Sequence, residues 1–180
     1  ILGLVSSYVF FDNITWIKVF NYVVLIFLIF SLYFFREPNR TPIGESNEMV
    51  SPADGKIISI DEIQDPEVGD AYNIAIFLSV FNVHSQYVPI DSSVISTNYY
   101  AGKYLMAFNP KTSEENEQSV TLFINEDKYK YKVKQIAGLI ARRILNYMTP
   151  DQQVIKGDRL GFIRFGSRVE IIVSKDDFNV

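Results

Sequence analysis

The sequence predicts an α+β protein of mainly β character, a β domain preceded by an N-terminal transmembrane helix or helical hairpin. Three observations carry that expectation. One long apolar run lies near the start, short β-branched or aromatic runs bounded by turn residues fill most of the rest, and only one short stretch among them keeps a helical spacing. The 180 residues suffice for one domain of ordinary size and an appendage. Residues 1–35 read as a membrane anchor, 36–52 as a linker and 53–180 as the functional domain. The chain opens on an apolar residue other than Met and stops after a strand-like run, so truncation at both ends is expected.

Composition removes several function classes. A net charge of −4 and a pI of about 5.0 give no electrostatic footprint for nucleic acid. No Cys is present, which removes disulfides, thiolate nucleophiles and Cys-based zinc sites, and a single His excludes a multi-His metal centre.

The apolar run Ile14–Phe35 carries one charge, Lys18. As a helix it would extend about 33 Å, enough for a hydrocarbon core of about 30 Å, with Lys18 near an interface. A buried core helix or a signal peptide would share this composition, but the run ends in Tyr33-Phe-Phe-Arg36 without a small-residue cleavage site. Ile1–Phe11 is also apolar, and Asp12-Asn13 is a turn pair that could separate two helices of a hairpin. Arg36 and Arg40 follow the main run, and the positive-inside rule then places the remainder in the cytoplasm.

Pro38, Pro42, Gly44 and Pro52 punctuate the linker. Strands are expected over Lys56–Ile60, Asn73–Ser79, Val94–Tyr99, Leu160–Phe165 and Arg168–Val173. Ser119–Asn125 and Lys128–Lys134 flank Glu126-Asp127 as a hairpin. In its second strand Lys128, Lys130, Lys132 and Lys134 share one face, which reads as a solvated face or a membrane-surface patch, and Tyr129, Tyr131 and Val133 share the other. Ile136, Ile140 and Ile144 stand four apart and predict a short helix weakened by Gly138, while Asn109–Gln118 reads as a polar loop.

Four places can carry chemistry. Gly166-Ser167 joins two strand-like runs; it reads as an ordinary turn or as an unhindered peptide beside a hydroxyl nucleophile. Asp54-Gly55 in Ser51-Pro-Ala-Asp-Gly55 is a tight turn or a carboxylate placed to orient an imidazole. His84 reads as a structural histidine or as a proton shuttle, being the one side chain whose ordinary pKa suits proton transfer near neutrality. Arg142-Arg143 is a solvated pair or a phosphate fork.

Five blocks in order resemble the phosphatidylserine decarboxylase family in its shorter bacterial and archaeal form. They are Phe34-Phe-Arg-Glu-Pro38, Ser51-Pro-Ala-Asp-Gly55, Phe81-Asn-Val-His84, Gln135–Ile144 and Gly161-Phe-Ile-Arg-Phe-Gly-Ser-Arg-Val-Glu170. The resemblance implies a barrel-sandwich-like domain that cleaves itself between Gly166 and Ser167, yielding a large and a small chain. It implies a pyruvoyl group derived from Ser167 as the prosthetic group, with neither metal nor pyridoxal phosphate. That group would form a Schiff base with phosphatidylserine in the bilayer and release CO2 to leave phosphatidylethanolamine. Asp54 and His84 would be the acid–base partners, and Arg142, Arg143 and Tyr87 candidate substrate contacts. Tyr87 stands where relatives carry Arg or His. The resemblance further implies a homodimer in the bacterial inner membrane with its catalytic domain on the cytoplasmic face. Two other readings share features of the chain: a biotinyl- or lipoyl-like carrier module, for which no lysine tip is found, and an unprocessed membrane scaffold.

Overall fold

From Leu2 to Phe34 the chain forms one helix, α1, in a computed structural model that describes residues 2–106, 112–139, 143–164 and 167–178, with side chains from residue 15 onward. The segment Thr15–Phe34 has mean hydropathy 2.1 and is long and apolar enough to cross a membrane. Apart from Phe30 and Phe34, its apolar side chains are exposed, Phe20 at 66% and Leu25 at 50% among them. Such a surface is unfavourable in water at about 25 cal/mol per Å² and is matched by hydrocarbon. The expected break at Asp12-Asn13 does not occur, and α1 runs through it. An Asx pair weakens a helix only locally, whereas continuing an established helix adds a hydrogen bond with each residue. The helix closes with Arg36 donating from Nη1 to the Tyr33 carbonyl at 2.8 Å, its guanidinium 3.8 Å from the Tyr33 ring centre.

Glu37–Val180 forms a second unit. Its elements are β1 (Lys56–Asp65), β2 (Gly69–Leu78), β3 (Ser85–Tyr87), β4 (Ser92–Tyr100), α2 (Thr112–Glu115), β5 (Gln118–Asn125), β6 (Lys130–Ile136), β7 (Ile144–Asn146), β8 (Gln153–Val154), β9 (Arg159–Ile163) and β10 (Ser167–Ser174). Two antiparallel sheets result, one ordered β1-β2-β10-β6-β5-β4-β8 and the other β3-β9-β7. Alternation along the strands decides what fills the space between them. Ile76, Val169, Ile171, Tyr131, Val133, Phe123 and Val94 come from the large sheet, and Leu160 and Ile163 from the small one. Phe123 and Tyr131 stack with centroids 4.8 Å apart. The Tyr131 hydroxyl reaches Ser92 Oγ at 3.0 Å, which satisfies the one polar atom that this ring brings into the core.

The hairpin around Glu126-Asp127 forms as β5–β6. Lys128 takes φ +67° there, and Asn125 closes the turn by accepting from Tyr129 N at 2.8 Å. The short helix expected around Ile136–Ile144 is replaced at both described ends by strand: Ile136 pairs with Arg168 and Gln118, and Ile144 with Ile163. Residues 140–142 lie outside the described part. Spacing by four suits a helix, but β-branched residues beside a glycine favour extended chain once ladder partners are available. Within the expected loop 109–118, α2 makes a single turn.

The lysine face departs most from expectation. Lys128 and Lys130 are exposed, but the Lys132 side chain is only 10% exposed, its Nζ 2.7 Å from the Asp65 carboxylate and also paired with Glu67. The end of β1 supplies Asp65 and the turn after it supplies Glu67. Burial pushes the Asp65 carboxyl up, but Lys132 and the amides of Glu67 and Val68 outweigh it and hold the group below its ordinary value. Burial likewise pushes the Lys132 ammonium down, and Asp65 and Glu67 reverse that, leaving it raised.

Removing one member of such a pair strands a buried charge, so Lys132→Ala is expected to lower unfolding stability by about 3 kcal/mol in urea titrations followed by circular dichroism. In the unsubstituted chain, the Asp65 contribution is present above the unfolded carboxyl pKa of about 4 and is lost as pH falls through the lower folded value. The Lys132 contribution is present below the ordinary lysine pKa and is lost as pH rises through the raised folded value. A urea midpoint unchanged by the substitution would refute the pairing.

Candidate active site

Ser167 opens β10, and β10 lies between β2 and β6. The ladders pair Ser167 with Leu78, the last residue of β2, and Arg168 with both Phe77 and Ile136. Ser167 shares the inward face with Val169 and Ile171, and it is fully buried. Its Oγ has no hydrogen-bond partner among the described residues. The sequence suggested a turn at Gly166-Ser167; Ser167 is instead a strand residue, and Gly166 lies outside the described part.

On the other side of β2, β1 begins with Lys56 paired to Phe77. Gly55 precedes it at φ +152°, where a Cβ would collide with the Phe77 carbonyl oxygen and come within 2.8 Å of Ile76 Cγ2. Glycine is therefore required for the Ser51–Gly55 turn to approach β2 this closely. Asp54 thus sits beside the same end of β2 as Ser167. Its carboxylate takes both branches of the Arg40 guanidinium, with Nη2 to Oδ2 at 2.8 Å and Nη1 to Oδ1 closer still. In the sequence Arg40 stands out only as a topology signal, and nothing local marks it as the residue that holds Asp54.

His84 follows β2 through a turn in which Asn82 Oδ1 accepts from Ser79 N at 2.9 Å and Ser79 Oγ at 2.8 Å. The imidazole is fully buried. Its Nδ1 lies 2.9 Å from the Asn82 carbonyl oxygen, and a carbonyl only accepts, so Nδ1 carries the hydrogen. In the neutral ring Nε2 then keeps its lone pair. The His84 carbonyl accepts from Ile163 N at 3.3 Å, which ties this loop to the end of β9, the strand that leads towards Ser167. Asp54, His84 and Ser167 therefore stand on three segments that adjoin the end of one strand, β2.

A buried amide relay lies behind His84. Gln86 Nε2 donates to the His84 carbonyl at 2.6 Å, and Gln135 Nε2 donates to Gln86 Oε1 at 2.8 Å and to the Leu145 carbonyl at 3.1 Å. Both glutamines are fully buried. Gly161 makes room for Gln135, since a Cβ there would run into Gln135 Nε2 and the Leu145 carbonyl. The one sequence signal for this relay was two amides beside apolar strands.

Among the candidate substrate contacts, Tyr87 lines a cavity of about 580 Å³ with Arg40, Ser51, Asp54 and Gly157, and its Oη is buried without a partner among the described residues. Arg143 is exposed, and Arg142 lies outside the described part. On the opposite face of β10, Glu170 is completely buried. Burial pushes its carboxyl up, but Lys134, Arg168 and the Ser113 hydroxyl outweigh it and keep the group below its ordinary value. Among the described residues no cluster of three or more His, Asp and Glu is placed to hold a metal ion.

The chain is similar to known phosphatidylserine decarboxylases. The sequence model described as phosphatidylserine decarboxylase matches residues 27–180. A phosphatidylserine decarboxylase proenzyme of Prosthecochloris aestuarii is 41% identical over 150 residues, covering 83% of this chain and 69% of the relative. One from Ralstonia nicotianae is 43% identical over 144 residues, 79% and 67% of the two chains. One from Paraburkholderia phytofirmans is 40% identical over 153 residues, 84% and 72% of the two chains.

Gly161→Ala tests the close packing behind His84. The added methyl meets backbone on one side, so about 1–3 kcal/mol of stability is expected to be lost, read as a lower unfolding midpoint. An unchanged midpoint would show that β7 and β9 can separate without loss.

Proposed function

The chain belongs to the phosphatidylserine decarboxylase family, and from that membership we propose that it is a proenzyme that breaks its own Gly166–Ser167 bond and then converts phosphatidylserine to phosphatidylethanolamine. The observation that carries this reading is the Ser167 hydroxyl, buried at the head of β10 with no described partner to occupy it. A buried hydroxyl left unpaired forgoes about 1–3 kcal/mol, a loss that fits a group reserved for chemistry.

In the cleavage step the Ser167 oxygen adds to the Gly166 carbonyl carbon and the peptide C–N bond breaks. This gives an ester and frees the Ser167 nitrogen as an amine. Loss of the Ser167 α-proton then expels the Gly166 carboxylate, and water displaces the nitrogen as ammonia. A pyruvoyl group is left at the head of the strand. His84, with Nδ1–H held by the Asn82 carbonyl, offers Nε2 as the proton acceptor. Asp54, gripped by the Arg40 guanidinium, is the acidic partner assigned to support an imidazolium during the transfer. The pyruvoyl carbonyl supplies the electron sink for loss of CO2 from an amine-bearing substrate, the part that pyridoxal phosphate plays in other decarboxylases.

Residues around the site do the remaining work. Burial of Ser167 and His84 excludes water, and the 580 Å³ cavity beside Asp54, lined in part by Tyr87, has a size suited to a polar headgroup. The helix segment Thr15–Phe34 keeps the catalytic unit at the bilayer in which the substrate resides. With Arg36 and Arg40 following that helix, we place the unit on the cytoplasmic face of the bacterial inner membrane.

Intact-mass analysis of the purified full-length protein is expected to show two chains, the smaller beginning at position 167 with a blocked terminus. Ser167→Ala is expected to stay whole and to lack decarboxylation. Normal cleavage of that variant would remove the bond from position 166–167. His84→Ala is expected to lose at least about a hundredfold in cleavage or turnover while keeping the wild-type circular dichroism spectrum. Full activity would take His84 out of the site.

A further inference from the structure

Cleavage before Ser167 would remove the covalent tether that joins β10 to β9, and this inference rests on that proposed cleavage. The new small chain would begin inside a sheet, flanked by β2 and β6. Its inward face, Val169, Ile171 and Val173, is apolar throughout. A one-residue slip would turn those side chains out of the core and is forbidden. A two-residue slip preserves the alternation, so the apolar core discriminates against it only weakly. Such a slip would still carry the residue at position 167 about 7 Å along the sheet, away from His84 and Asp54.

The outward face of β10 supplies what the core cannot. Glu170 is completely buried there, and its two carboxylate oxygens point to different partners. Oε1 pairs with Arg168 Nη2 at 2.7 Å, on the same strand. Oε2 accepts from Ser113 Oγ at 2.8 Å and pairs with Lys134 Nζ at 3.0 Å, both on the large-chain side of the cut. Lys134 also donates to the Ser113 carbonyl at 3.1 Å, which fixes α2 in the same cluster. Side chains of Lys134 and Arg168 are 15% and 6% exposed, so a displaced carboxylate would leave cations with little water to replace it.

We propose that Glu170 is a positioning residue, a buried latch across the cleavage site that pins the register of the small chain and so keeps the group derived from Ser167 beside His84 and Asp54. It touches neither the reacting atoms nor the substrate.

The test compares Glu170→Gln in the cleavable protein with Ser167→Ala/Glu170→Gln, which stays tethered. Amide hydrogen exchange over β10 and steady-state decarboxylation of phosphatidylserine vesicles are measured on the full-length proteins. In cleaved Glu170→Gln, exchange over β10 is expected to quicken by roughly a hundredfold or more relative to cleaved wild type. Turnover, kcat, falls at least tenfold while KM changes less than twofold. In the tethered pair the same substitution changes exchange by less than about tenfold, because the connection to β9 maintains a high effective concentration of the strand. Equal changes in cleaved and tethered proteins, or a cleaved variant with wild-type exchange and turnover, overturn the latch and leave the cleavage reading standing. A wild-type chain that is never cleaved overturns both. If Glu170→Gln does not fold, Lys134→Gln removes the latch from the large-chain side and is judged by the same outcomes.

Discussion

Two antiparallel ladders on β10 set the position of Ser167 to within a residue. Leu78 fixes it from β2, and the pairing of Arg168 with Ile136 fixes it from β6. Nearly everything else in the catalytic unit follows from that placement. The inward face of β10 continues the core formed with Tyr131 and Val133, and the outward face meets Lys134. The end of β2 then becomes the point where the Ser51–Gly55 turn, the loop carrying His84 and the head of β10 converge.

Several polar groups are buried near that point, and a number of them are tied to one another. The run from the His84 carbonyl through Gln86 and Gln135 to the Leu145 carbonyl links β3, β6 and β7 with neutral amides. Nearer the surface Arg40 grips Asp54 from the linker, while the buried Glu170 joins α2, β6 and β10. Networks of this kind add little net stability over a well-packed apolar core, yet they tolerate few alternative arrangements. Under the proposed cleavage before Ser167 that restriction gains importance, because the break would remove a covalent constraint that most active sites retain.

The lysine-rich strand shows how the same residues can be read in two ways. Alternation along β6 correctly separates Tyr131 and Val133 from Lys132 and Lys134. It says nothing of what covers the second face. Asp65 arrives from the end of β1, Glu67 from the turn after it and Ser113 from α2, all remote in sequence. A face that would be solvated on an isolated hairpin becomes a second, charged interior.

Local sequence by itself determined the apolar span, the strand-rich domain, the β5–β6 hairpin and the blocks around Asp54, His84 and Ser167, because chain composition and short-range spacing govern each of them. It misjudged the turn at Asp12-Asn13 and the helix near Ile136, where weak local preferences yielded to helix propagation and to ladder partners. Tertiary structure alone decided that Arg40 holds Asp54, that Gln135 backs His84, and that Lys134 meets Glu170. Each of those contacts joins residues that no period connects, and only the closing of the sheets brings them within hydrogen-bonding distance.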